Sequence, residues 1–253
     1  MLKKRVIPVL LLRDGRMAKG VQFGNYRDTG NPKTAVRIYS AQDADELVFL
    51  DIQASLQSRT ALLEIIREAA TECFMPLAAG GGIESIDDVR ELLLAGADKV
   101  VVTTAAVTNP GLITAISERF GNQCVVAGID YRCDADGAKV WIRCGTEATQ
   151  LDPVEHARNL AALGAGEIFL NSIDHDGLMD GYDLDMAEKI ASAVSVPVIV
   201  CGGAGNFMHL AELLKDTSAS AAACASLFHF GDNNPIRARS YLRNLGIPMR
   251  VLK

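Results

Sequence analysis

The sequence predicts an α/β fold, a single (β/α)8 barrel, on three observations. Short apolar runs alternate with helical stretches along all 253 residues. The runs are apolar throughout rather than alternating, as strands covered on both faces must be. A glycine-stopped run also occurs twice: Met75-Pro76-Leu77-Ala78-Ala79-Gly80-Gly81-Gly82-Ile83 and Val196-Pro197-Val198-Ile199-Val200-Cys201-Gly202-Gly203-Ala204-Gly205. Gly81 and Gly202 are 121 residues apart. The competing doubly wound sheet wants a GxGxxG turn after its first strand, and none is present.

In chain order, strands are expected at 6–11, 47–51, 76–79, 99–103, 124–130, 168–171, 198–201 and 221–224. Eight strands in a chain of this length suit barrel closure. The start, Met1-Leu2-Lys3-Lys4-Arg5 before an apolar run, imitates a signal peptide. The run contains Pro8, ends at Arg13-Asp14 and has no small-residue cleavage site, so it is read as the first strand. Residues 14–32 are a polar, glycine-bearing segment, too long for an ordinary strand-to-helix loop and of the kind that forms lids. Residues 132–144, with Asp134-Ala135-Asp136-Gly137 between β-prone flanks, are expected as a hairpin inserted after the fifth strand.

The offset of 121 residues recurs. Glu46-Leu47-Val48-Phe49-Leu50-Asp51 aligns with Glu167-Ile168-Phe169-Leu170-Asn171-Ser172, and Thr103-Thr104-Ala105 with Cys224-Ala225-Ser226. One offset for three matches implies two half-barrels, about 1–121 and 122–253. No linker divides them, so 1–253 is expected to be one domain.

Composition narrows the partners. At 49% hydrophobic content the chain can bury a large core. A net charge of −6 argues against nucleic acid. No apolar run reaches the length of a bilayer span. Six cysteines, at 73, 124, 133, 144, 201 and 224, form no CxxC and no metal spacing. Reduced cysteines imply a cytoplasmic protein. His175 between Asp174 and Asp176 lacks a second histidine nearby, so no metal and no cofactor are expected.

In such barrels chemistry sits at the C-terminal strand ends. The candidates there are Asp51, Thr103, Thr104, Asp130, Asn171, Asp174, Asp176 and Cys201. Each could cap the helix that follows it, but three carboxylates are expected to converge on the mouth. Gly81 and Gly82 with Thr103 and Thr104 would make one phosphate cradle. Asp176, Gly177, Gly202, Gly203, Ala225 and Ser226 would make another. Tight strand-to-helix packing is the alternative use of those glycines. Two cradles imply a ligand with a phosphate at each end. At the opposite rim Arg5, Glu46, Lys99 and Glu167 fall at strand starts, fitting either a charged plug or a gate to a channel.

Together these residues resemble the cyclase (HisF-type) subunit of imidazole glycerol phosphate synthase, a TIM barrel, along essentially the whole chain. Carrying the likeness are Lys19-Gly20-Val21-Gln22-Phe23, Asp45 to Ile52, Gly80-Gly81-Gly82-Ile83, Ala95 to Val100, Gly164 to Ile168, Asp176-Gly177 with Gly181-Tyr182-Asp183, and Ser226-Leu227-Phe228-His229. The resemblance implies a lyase in histidine biosynthesis that docks a glutaminase on the N-terminal face of its barrel. Ammonia then crosses the barrel to a bis-phosphorylated ribulosyl substrate. It assigns the ammonia gate to Arg5, Glu46, Lys99 and Glu167, phosphate contacts to Gly82, Gly177 and Gly203, and a substrate-lid lysine to Lys19.

One departure stands out. The family faces two aspartates as general acid and base. Asp130 holds the second position, but Leu11 holds the first. Asp14 is no substitute, since the family carries an aspartate there too. Thr103, Asn171 and Cys201 also depart, standing where the family has asparagine, threonine and serine. Asp130, Lys19 and Asp51 are the remaining catalytic candidates. Loss of one proton-transfer group is worth about 10²–10⁴-fold in rate. The resemblance therefore extends to diverged paralogues of surface-polysaccharide synthesis, which pass ammonia to a sugar amidotransferase. A working cyclase and a docking subunit that only activates the glutaminase are the rival expectations.

Overall fold

Eight parallel strands close on themselves in the computed structural model, which describes residues 3–53, 56–135 and 137–250, with 56–59 by backbone alone. Met1 and Leu2 of the basic start, Asp136 of the hairpin turn and the last three residues of the expected domain lie outside the described residues. The first half carries β1 (Arg5–Arg13), β2 (Arg16–Val21), β3 (Gly24–Gly30), α1 (Pro32–Ala41), β4 (Leu47–Asp51) and α2 (Leu56–Glu72). It continues through β5 (Leu77–Gly80), α3 (Ile86–Ala95), β6 (Lys99–Val102), α4 (Thr104–Thr108) and α5 (Gly111–Phe120). Next come β7 (Val125–Asp134), β8 (Gly137–Ile142), β9 (Glu147–Ala148), α6 (Pro153–Ala162) and β10 (Glu167–Ser172). The chain ends with α7 (Leu184–Ala193), β11 (Val198–Cys201), α8 (Phe207–Asp216), β12 (Ala221–Cys224), α9 (Ser226–His229) and α10 (Pro235–Asn244).

Around the ring the order is β1, β4, β5, β6, β7, β10, β11, β12 and back to β1, every pair parallel. This is the (β/α)8 barrel the apolar runs predict. Their uniform character has a direct cause. Leu10, Leu47, Phe49, Ile129 and Ile168 pack outward against helices. Ile7, Val9, Val48, Val101, Val126, Phe169 and Ile199 fill a separate inner core. Both faces are dry, so neither can be polar. Helices α1, α6 and α10 each open on an Asn or Asp cap followed by proline, which supplies an acceptor and a preset φ at the first turn.

Equivalent elements recur at the sequence offset. Leu77 and Val198 open β5 and β11, 121 residues apart, and each half inserts antiparallel strands after its first barrel strand.

Strand limits move for local reasons. The strand expected at 99–103 stops at Val102, because Thr103 already has helical angles at the start of α4. The one expected at 124–130 runs on to Asp134 because it pairs with β8. That pairing is the hairpin expected over 132–144.

Residues 14–32 are not the irregular loop expected from the sequence. They form an antiparallel hairpin in which Leu11, Leu12 and Arg13 of β1 pair with Ala18, Met17 and Arg16 of β2, and β2 pairs with β3. Asp14 and Gly15 both have positive φ, 51° and 71°. An Asp-Gly pair of that kind turns two strands without splaying them. The far tip, Gln22 and Phe23, also has φ of 50° and 60°. The backbone N–H of Gln22 donates to the Asp176 carbonyl at 2.7 Å and holds that tip to the barrel.

Candidate functional site

The inward-facing residues of the barrel set out the chemistry in layers. At the N-terminal end Arg5, Glu46, Lys99 and Glu167 form a closed ring. Arg5 reaches Glu46 at 2.7 Å and Glu167 at 2.9 Å, and Lys99 reaches both glutamates at 2.9 Å. Glu46 is 1% exposed, so its charge depends on the two cations. Burial opposes the charge on Arg5, but Glu167 and Glu46 outweigh it and hold the guanidinium above its ordinary value. All four residues singled out at the rim are thus brought together. Above them the inner face of the barrel is apolar, with small Ala78, Ala221 and Ala223 among larger groups.

At the C-terminal end a cavity of about 630 Å³ opens. Asp51, Gly81, Gly82, Thr103, Thr104, Asp130, Asn171 and Leu11 all line it. Gly81 turns with φ 110°, and a side chain there would meet the Asp51 carbonyl at 2.2 Å. Only glycine fits this first cradle. Thr103 lies close over Gly128, leaving no room for a side chain on β7 at that point. The Thr104 hydroxyl accepts from the backbone N–H of Arg143 at 3.1 Å, which ties the cradle to the inserted hairpin.

The inward-pointing polar groups of the mouth cluster on one side, and Asp51 and Gln53 line the cavity from the end of β4. Thr103, Asp130 and Asn171 come from the neighbouring strands β6, β7 and β10 and their ends. Leu11 and Leu50, from β1 and β4, are the apolar groups on the other side. Strands β1 and β7 are four places apart in a ring of eight, so Leu11 belongs to the strand diametrically opposite that of Asp130. Burial pushes the Asp130 carboxyl up to about 7, against a hydrogen bond from Asn171 that works to lower it. Asp51 is 5% exposed, and its carboxylate accepts from the Gln53 backbone at 2.9 Å.

The three carboxylates expected at one mouth do not all meet there. Asp176 lies in a second, smaller pocket, and the Asp174 carboxylate accepts from the Cys133 backbone. Lys19, grouped by sequence with Asp130 and Asp51, is also in the second pocket. It is 2% exposed, with Nζ 2.6 Å from Asp176 Oδ1. The reason is the hairpin: β2 carries Lys19 back over the barrel. Gly177, Gly202, Gly203, Ala225 and Ser226 complete that pocket. Gly203 has φ 106°, and a side chain there would meet the Gly181 carbonyl at 1.8 Å. The free space is about 10 Å³, room for one water. A phosphate would have to part Lys19 from Asp176.

Several wall residues were not marked as site residues in the sequence. Phe23 and Tyr26 come from the first hairpin, Arg143 and Cys144 from the end of the second. Burial raises the Tyr26 hydroxyl to about 12. The Asp14-Gly15 turn was the available signal for the first pair. Among the described residues no three metal-binding side chains gather, and no helix is long and apolar enough to cross a membrane.

Comparison of the chain with known proteins finds one family. The model for "Histidine biosynthesis protein" matches residues 5–234. Two relatives named "Imidazole glycerol phosphate synthase subunit HisF" come from Caulobacter vibrioides, strains NA1000 / CB15N and ATCC 19089 / CIP 103742 / CB 15. Each is 47% identical over 253 residues, covering 99% of this chain and 97% of its own.

Proposed function

The chain belongs to the histidine biosynthesis protein family, and from that premise we propose that it is the barrel subunit of a glutamine amidotransferase complex of the imidazole glycerol phosphate synthase kind. Its partner is a glutaminase seated on the N-terminal face. Ammonia enters past Arg5, Glu46, Lys99 and Glu167, crosses the apolar lumen and emerges beside Asp130. The two glycine cradles take the phosphates of a bis-phosphorylated ligand. The chain acts as one domain built from two half-barrels, about 1–121 and 122–253.

The finer reading is that ring closure is weak here and ammonia goes to another acceptor, such as a sugar-amidating enzyme. One observation carries it: the floor ring is complete while the mouth has a leucine on the strand opposite Asp130. A leucine neither gives nor takes a proton. Asp130, titrating near 7, serves as acid or base but has no partner across the barrel. Thr103, Thr104, Gly81 and Gly82 hold the ligand's near phosphate. Asp176 holds Lys19 until the far phosphate displaces it.

A second reading is an ordinary cyclase that makes imidazole glycerol phosphate and the aminoimidazole carboxamide ribotide from the phosphoribulosyl intermediate. It is favoured by the 47% identity and by Asp51, which lines the same cavity from the strand beside β1. The test is to combine the chain with its glutaminase, glutamine and the phosphoribulosyl intermediate. The first reading expects glutamine to be consumed with ammonia released and little imidazole product. Stoichiometric product, abolished in Asp51→Asn, establishes the second.

A further inference from the structure

Asn171 lines the larger cavity, and Gly202 of the second pocket lies behind it. Asn171 stands in direct register with Asp130, β10 beside β7, and both side chains point inward. Its Nδ2 donates to Asp130 Oδ1 at 3.3 Å. Its Oδ1 is buried and has no hydrogen-bond partner. The whole residue is 7% exposed. On the far side of Oδ1 is Gly202, where even a methyl group would sit 3.3 Å from that oxygen. The amide therefore has a carboxyl group on one side and room kept by a glycine on the other.

An unpartnered buried carbonyl oxygen costs roughly 1–3 kcal/mol, so its presence needs a reason. The chemistry of an amide supplies one. A carboxylate needs a donor, and Nδ2 is one. Turning Nδ2 to the carboxylate leaves Oδ1 over, whereas the reverse orientation would set an acceptor against an acceptor. We propose that Asn171 is the positioning residue for Asp130, fixing the carboxyl group in the cavity and favouring its ionised form through Nδ2. This rests on the reading of Asp130 as the proton-transfer group of the mouth.

The bond from Asn171 acts against the two influences that disfavour the charge on that carboxyl. Burial and the charge of Asp176 both push Asp130 toward protonation, and the Asn171 bond opposes them. The other titratable or charged groups facing the site are Tyr26 of β3, Cys144 after β8, and Asp51, Glu84 and Arg143 around the cavity. Arg143 is the cation among them, and its Nε is engaged by Glu147 at 2.9 Å.

The test reads Asp130 directly. The chain is labelled with ¹³C at aspartate carboxyl groups, and the Asp130 signal, assigned from Asp130→Asn, is titrated without substrate. Asn171→Ala is expected to raise its midpoint by about one unit or more. Asn171→Leu keeps the branching and the number of heavy atoms, removes the donor and should give the same shift, which covers the case in which the smaller side chain unfolds the barrel. A purely structural asparagine would lower stability and leave the midpoint where it was, and that result overturns the proposal. Turnover separates this from the functional reading. If the midpoint moves but the acid limb of the pH–rate profile does not, Asn171 still positions Asp130, and the role given to Asp130 in nitrogen transfer is what fails.

Discussion

Leu11 stands on β1, four strands in either direction from the β7 strand that holds Asp130, and the two line one cavity. A ring of eight has only one position opposite any other. No substitution elsewhere restores that geometry, although Asp51 comes within one strand of it.

Stability should depend on pH through Asp130. Its carboxyl is raised to about 7 in the folded chain, against an ordinary value of 3.8 when unfolded. The folded state then holds a proton that the unfolded state has released. The contribution of Asp130 is full below about pH 4 and is lost as pH rises through 7. Asp130→Asn removes this loss. Its advantage in urea unfolding should grow between pH 4 and 7, reach on the order of 2–4 kcal/mol and then level off.

The floor ring should be strongly coupled. Lys99→Met strips one cation from Glu46 and Glu167 and should cost about 3 kcal/mol, or roughly 6–12 °C in Tm. Thermal unfolding of the isolated chain checks it. A loss below about 1 kcal/mol would mean the ring is held as loosely as a surface pair.

Lys19 and Asp176 should behave as a unit. Lys19→Met leaves a buried carboxylate alone and should destabilise by about 3 kcal/mol. Adding Asp176→Leu should recover most of that, because the orphaned charge goes too. A double-mutant cycle by urea unfolding measures the coupling.

Glycine matters differently at two positions. Gly203→Ala places a methyl group 1.8 Å from the Gly181 carbonyl in addition to a φ of 106°. It should abolish protection of the second cradle by inorganic phosphate. Gly246→Ala meets nothing within 4 Å, with φ 79°, and should cost about 1 kcal/mol. Phosphate-dependent shifts in Tm distinguish the two.

Some of this was legible in the residues and some was not. The floor ring showed itself as Arg5, Glu46, Lys99 and Glu167, charges at or just before the starts of apolar strands. The cradles showed themselves as glycines that stop those strands. The Lys19–Asp176 pair did not, because its members are 157 residues apart and meet only when the hairpin folds back. That hairpin depends on Asp14-Gly15, a two-residue signal hidden in a polar stretch. The bond between Asn171 and Asp130 needs the strand order, since β7 and β10 become neighbours across α6 and two inserted strands.

The most direct measurement is the rate of ring closure on the phosphoribulosyl intermediate with saturating ammonia, for the natural chain and for Leu11→Asp. Free ammonia removes the glutaminase and the floor ring from the comparison. If Leu11 has cost the mouth a proton-transfer group, the variant should be faster by about 10²-fold or more. Equal rates, or a natural chain that is already the faster of the two, would contradict the account and return Asp51 and Asp130 as a working pair.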